Sequence, residues 1–172
     1  MGNGILQVRA YVEEMLRITR AMLAPLTAQL HISESDPFSE GRWILERMLR
    51  TLNMHAEELA EHLRRLGSQA PPDNGKPAFY AQNRSESLRD HYLRLRLAQA
   101  GALMLESNAR ALGYSSTAAL ATRHREEIAS LLETFRELVP GSVRGELPVE
   151  NGSVAPDNRA AAARSRPEMP RG

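Results

Sequence analysis

Four of the five histidines in this chain, His55, His62, His91 and His124, fall at helical spacing on apolar seams. Imidazoles and carboxylates gathered at one height inside a helical bundle make up the donor set of a dinuclear iron or manganese centre. In such a centre, i, i+3 spacing aims two ligands of one helix at a common point. The candidate ligands are Glu58, His62, Glu106, His124 and Glu127, with Glu13 or Glu14 one turn to the side. The order differs from the Glu-x-x-His pair that this chemistry uses, because the chain reads Glu58-x-x-x-His62 and His124-x-x-Glu127. His55, Glu58 and His62 share one stripe, yet Glu57, Glu61, Arg64 and Arg65 charge that region on several faces, as a solvated surface does. The competing reading is structural: a neutral imidazole sits in a core when a ring nitrogen finds a partner, with Glu106 contacting His124 and Glu126-Glu127 pairing with Arg123 outside.

The elements that would position these groups are helices. Steps of three and four connect Ile5, Val8, Val12, Met15, Thr19, Met22 and Leu26, with Asn3 as a cap. A second seam runs Phe38, Gly41, Leu45, Met48, Leu52, His55, Leu59, His62 and Leu66. It lies behind Asp36-Pro37 and should stop at Gly67. A third carries Leu88, His91, Leu95, Ala98, Ala102, Leu105, Ala109 and Leu112, opened by Asn83-Arg-Ser-Glu86 in capping-box spacing and closed by Gly113. The fourth, Ala121, His124, Ile128, Leu131, Phe135 and Leu138, starts at Ser115 or Ser116 and ends at Pro140-Gly141. Met15, Met22, Met48 and Met104 follow the seams and read as core filler.

Helices 1 and 2 are joined by about 5 residues and helices 3 and 4 by about 3, which forces each pair antiparallel. Between helices 2 and 3 lie Gly67 to Gln82, including the apolar pair Phe79-Tyr80. Some 16 extended residues reach roughly 50 Å, and a 27-residue helix is about 40 Å long, so this connection can cross the whole bundle. The crossing matters to the chemistry. With helices 2 and 3 antiparallel, His62 and His124 lie about five turns apart; with them parallel, His62, Glu106 and His124 come to one height. The expectation is two hairpins joined by a crossover that packs on the bundle.

Composition closes other classes. The chain has 172 residues, 42% of them apolar, and no Cys, so disulfides, thiolate nucleophiles, iron–sulfur clusters and Cys-based zinc sites are absent. Twenty-two basic residues against 21 acidic ones leave no excess field for a phosphate backbone, and Trp43, Phe79, Tyr80 and Tyr92 form no array interleaved with basic residues, so no nucleic-acid partner is expected. No Gly-rich phosphate loop follows a strand, and no Ser sits in a nucleophile elbow. Neither a signal peptide nor a membrane span is visible, so the expected location is cytoplasmic. Residues 140–172 hold scarcely any large apolar side chain and are expected to form a disordered tail behind a single bundle domain, 1–139. The third helix is small and apolar around most of its circumference, and Ala98, Ala100, Gly101 and Ala102 invite a close neighbour: the crossover, a second subunit in a homodimer, or another helix of the same bundle.

Over residues 88–140 the chain resembles a group of uncharacterised bacterial ferritin-like proteins, through Leu88, Arg89, Asp90, Tyr92, Ala111, Leu112, Gly113, His124, Val139 and Pro140. The resemblance implies an all-α, ferritin-like four-helix bundle and no particular reaction. Ferritins and rubrerythrins carry Glu-x-x-His on their second and fourth helices and this chain does not, so iron storage is not carried over. Two readings follow. One is a non-catalytic interaction or stress-associated module with no cofactor; the other is a divergent iron or manganese carboxylate protein using the five residues named above.

Overall fold

The computed structural model describes residues 2–33, 41–72 and 84–146. They form four helices: α1 (Gly2–Ser33), α2 (Arg42–Arg65), α3 (Arg84–Ala111) and α4 (Ser115–Glu146). The seams expected from three-four spacing are the buried faces. Val8, Val12, Thr19 and Leu26 of α1, Met48, Leu52 and Leu59 of α2, Leu95, Ala98, Ala102 and Ala109 of α3, and Ala121, Ile128 and Phe135 of α4 are almost wholly excluded from solvent.

Two helix ends behave as their glycines require. At Gly67 (φ 76°) the amide bonds the Arg64 carbonyl at 2.9 Å and Ser68 bonds that of Leu63 at 2.9 Å. Gly113 (φ 80°) repeats the arrangement, with Gly113 on Arg110 and Tyr114 on Ala109. The left-handed residue lets both terminal carbonyls be satisfied as the chain turns away. Other boundaries differ from expectation. α1 begins at Gly2, so Asn3 lies inside the first turn rather than capping it. α2 begins at Arg42 behind Gly41, which makes no side-chain cap. The α4 backbone continues through Pro140-Gly141 to Glu146, although proline removes one helical hydrogen bond and its ring crowds the carbonyl four residues back. Asp36-Pro37, Phe38, Phe79-Tyr80, Asn83 and the tail from 147 onward lie outside the described residues. Met104 and Leu112 are exposed rather than core residues, since the third seam leaves the interior at its end and Met104 lies on the opposite side of the helix.

The direction of each helix follows from two apolar clusters. One holds Val8, Val12 and Leu16 of α1 with Leu59 and Leu63 of α2, Ala102 and Leu105 of α3, and Leu120 and Ala121 of α4. The other holds Met22 and Leu26 with Ile44, Met48 and Leu52, Leu88 and Leu95, and Ile128, Leu131 and Phe135. α2 and α3 both run from the second cluster to the first, so they are parallel, and the connection between them must travel the length of the bundle. Its described start does so along α1: Arg9 bonds the Leu66 carbonyl, Ser68 Oγ donates to Glu13 at 3.0 Å, and Arg20 reaches the Pro71 carbonyl. Among the described residues the backbones of α2 and α3 do not come close to each other, nor do those of α1 and α4, which places these pairs on the diagonals of a square. The fold is thus two hairpins, α1–α2 and α3–α4, joined by a crossover. α1 approaches α3 closely at Gly101, where an added Cβ would stand 2.5 Å from Met15 Sδ. Ala98 and Ala102 face the interior, so these small residues serve an intramolecular contact.

Candidate functional site

Between the two apolar clusters lies a polar layer. His55 of α2 and His124 of α4 enter it from facing helices, each about 1% exposed, with rings stacked at a centroid distance of 3.8 Å and 14° between planes. His55 Nε2 bonds Glu127 at 2.5 Å, and His124 Nε2 bonds Glu58 at 2.7 Å. The arrangement is reciprocal because α2 carries His55-x-x-Glu58, α4 carries His124-x-x-Glu127, and the helices are antiparallel. Each imidazole therefore meets the carboxylate one turn along its partner. The two glutamates lie at the rim, about one-third exposed, where Arg123 adds a contact to Glu58 at 2.6 Å.

Electrostatics favours the neutral imidazoles. Burial lowers the His55 pKa, opposed by the hydrogen bond and charge of Glu127. Burial and the neighbouring His55 push His124 down to about 4 against the pull of Glu58. Burial raises the Glu58 carboxyl, but hydrogen bonds from His124 and Arg123 outweigh it and hold the group below the usual carboxylate range. A neutral His124 with its proton on Nε2 donates to the Glu58 carboxylate, a charge-assisted hydrogen bond between a neutral donor and an anion.

The five sequence candidates do not gather at one point. Glu58, His124 and Glu127 join this layer together with His55. His62 lies a turn further along α2, bonded through Nε2 to Thr117 Oγ1 at 2.7 Å, and its pKa is lowered by burial and by Arg65. Thr117 and His124 are seven residues apart on α4, on the order of 10 Å. Glu106, about 5% exposed, turns to Arg125 at 2.8 Å and Arg110 at 2.6 Å; the Arg125 hydrogen bond foremost holds its carboxyl below the ordinary range. The expected Glu106 to His124 contact is replaced by these arginine pairs. Glu13 accepts from Ser68 on the crossover, and Glu14 pairs with Arg17.

At the height of the stacked rings, α1 passes from Leu16 to Met22 and α3 from Ala98 to Ala102, as their membership of the two clusters shows. Neither span contains an acidic or imidazole side chain. The one buried polar group there, Thr19, donates to its own helix at the Met15 carbonyl, 2.8 Å. A dinuclear carboxylate centre draws a glutamate from each of two helices in addition to the pairs on the other two, and here α1 and α3 supply none. Among the described residues no group of three or more His, Asp or Glu converges as metal ligands would. The residues present therefore do not fit that centre. Beside the layer, a groove between α2 and α4 is lined by Glu58, Glu61, His62, Arg65 and Arg123. Most of its charges are already paired, Arg64 and Arg65 with Glu61 and Arg123 with Glu58, and Glu57 stands at its edge.

His91 is the one core histidine with no partner: both ring nitrogens are buried without a hydrogen bond, the residue is 1% exposed, and burial drives its pKa down to about 4. Among the described residues no helix is long and apolar enough to cross a membrane.

No protein-family model matches the chain, and no curated protein matches it. Solved structures do. A ferritin-like, diiron-carboxylate protein of Bacillus anthracis is 13% identical with a TM-score of 0.69, covering 81% of this chain and 99% of its own. A protein of Xanthomonas campestris is 13% identical with a TM-score of 0.74, covering 84% and 95%. The bacterioferritin of Desulfovibrio desulfuricans, whose structure describes a diiron site, is 18% identical with a TM-score of 0.69, covering 84% and 86%. At these identities the likeness speaks for architecture alone, and it agrees with the four-helix arrangement described above: the chain has the ferritin-like four-helix fold.

Proposed function

We propose that this protein is a non-catalytic ferritin-like bundle, an interaction or stress-associated module in which the polar layer is a structural clasp and no cofactor is held. The observation that supports this reading is the reciprocal pairing of His55 with Glu127 and His124 with Glu58. It engages Nε2 of each ring with a carboxylate of the opposite helix, while α1 and α3 bring no carboxylate to the same height. The clasp joins α2 to α4, the least intimate of the contacting helix pairs.

The rival reading is a divergent iron or manganese protein of the kind its structural neighbours represent, built on Glu58, His62, Glu106, His124 and Glu127. Metal content measured by mass spectrometry separates the two, on protein as purified and after anaerobic Fe(II) or Mn(II) loading and desalting. The clasp predicts less than about a tenth of an equivalent per chain. Uptake of about two equivalents, abolished by Glu58→Ala or His124→Ala with helicity retained, overturns it in favour of the metal reading.

A further inference from the structure

The outer side of α3 is apolar although nothing in the described bundle covers it. Leu93 is 57% exposed, Leu97 59% and Met104 53%, and with Ala100 they form a single stripe at three-four spacing, opposite the face that carries Leu95, Ala98 and Ala102. Leu103, 55% exposed, borders it. An exposed row of this kind on a helix otherwise anchored in a core marks a contact surface.

We propose that this stripe is the interface of a homodimer, in which the α3 helices of two copies pack antiparallel about a twofold axis near residues 98 and 99. This names the partner of the interaction module proposed above and rests on that reading. Three observations select a second copy. The stripe is self-complementary: in the antiparallel arrangement Leu93 meets the partner's Met104 and Leu97 meets the partner's Ala100, so apolar faces apolar along its whole length and the small Ala100 leaves room for Leu97 at the centre. One shoulder is neutralised, because Arg94 is paired with Asp90 at 2.7 Å; on the other, Arg96 keeps its charge but is held back along its own helix by the Tyr92 hydroxyl at 2.9 Å. The exposed Arg89 of each copy would lie about 28 Å from its mate. The area is adequate: four large side chains, each more than half exposed, bury on the order of 100 Å² apiece. With the rim residues the total reaches about 1,000 Å², the lower end for a specific interface and appropriate to a reversible dimer. The chain's own crossover starts elsewhere, along the side of α1 that carries Glu13 and Arg20, whereas α3 packs on the side that carries Met15 and Ile18.

Sedimentation of the full chain from about 5 to about 200 µM tests the assignment. The expected result is a mass rising across this range from 19.1 kDa toward twice that value. Leu97→Glu should weaken association at least tenfold while leaving the melting temperature of the monomer unchanged. Orientation is read from cysteine variants, which are clean because the chain has no Cys. A mixture of Leu93→Cys and Met104→Cys should form the mixed disulfide, and Leu93→Cys alone should not cross-link. A chain that stays monomeric throughout, or dimerisation indifferent to Leu97→Glu, overturns the proposal. So does a monomer whose melting temperature falls with Leu97→Glu, which would mean that the chain covers its own stripe. The two readings fail separately: a monomer that takes up no iron removes only the dimer, and a dimer that takes up two irons removes only the non-catalytic reading.

Discussion

Replacing His91 by leucine should stabilise this protein, and the gain should grow as the pH falls. At pH 7.5 the ring is neutral, with one N–H donor and one acceptor, and both nitrogens are buried without a partner. Each unsatisfied group costs about 1–3 kcal/mol, so Leu of similar bulk should raise the unfolding free energy by about 2 kcal/mol after allowance for imperfect fit. The pH term adds to this. The pKa is about 4 in the folded chain against 6.5 for an ordinary histidine. The unfolded state therefore binds more protons between those values, and the parent loses stability as pH falls from 6.5 toward 4. Linkage gives a loss of about 2 kcal/mol at pH 5, and about 3 kcal/mol by pH 4, that the leucine variant lacks. Glu58, held below the ordinary carboxylate range, loses its contribution only as pH falls through its depressed pKa, below 4.5, so measurement at pH 5 stays clear of it. Urea unfolding of parent and His91→Leu at pH 7.5, 6 and 5, with helicity as the signal, should show a gap widening from about 2 to about 4 kcal/mol. A variant less stable than the parent at pH 7.5, or a gap that does not change with pH, would refute the reasoning and show that the imidazole has a partner.

Three further outcomes follow from the packing. Glu127→Ala strands the Nε2 of His55 inside the bundle and should cost about 2 kcal/mol in chemical unfolding; a loss within about 0.5 kcal/mol, the range of ordinary surface changes, would show that the clasp carries no stability. Ala102→Leu, at a fully buried position, should lower stability by about 1–3 kcal/mol through overpacking, and an unchanged melting temperature would count against a tight interior there. Gly113→Ala places a side chain at φ 80° with open space around it. Strain alone should then cost about 1 kcal/mol in thermal or urea unfolding, and no measurable change would mean that the turn relaxes freely.

Much of the architecture was legible because apolar spacing is a local signal. The seams through Val8, Met48, Leu95 and Ile128 are the buried faces, and the glycine stops at 67 and 113 are left-handed caps. The crossover was legible from the length and composition of one connection, and the parallel course of α2 and α3 confirms it. The site was legible only in part, since a seam says that a residue points inward and not what it meets across the interior. The spacing brings His62 and His124 to one height, but His62 pairs with Thr117 and His124 with Glu58. The signal that would have found the clasp is the repeated His-x-x-Glu, at 55–58 and 124–127, on helices read as antiparallel. Like spacings in opposite directions pair each imidazole with the other helix's carboxylate. Met104 lies outside the core for the complementary reason: on a helix apolar on two sides, spacing alone does not say which stripe is the core.

The reciprocal layer also decides how the two hairpins may sit against each other. Val, Leu and Met rows on neighbouring helices can slide past one another by a turn and still bury similar area, and the long connection between α2 and α3 leaves the offset free. The rings and carboxylates tolerate no such shift, because displacing α4 by one turn along α2 would leave both buried imidazoles without their acceptors. The polar layer is in that sense a key that admits one offset and one direction, and it gives an otherwise sliding pair of hairpins a single assembled form.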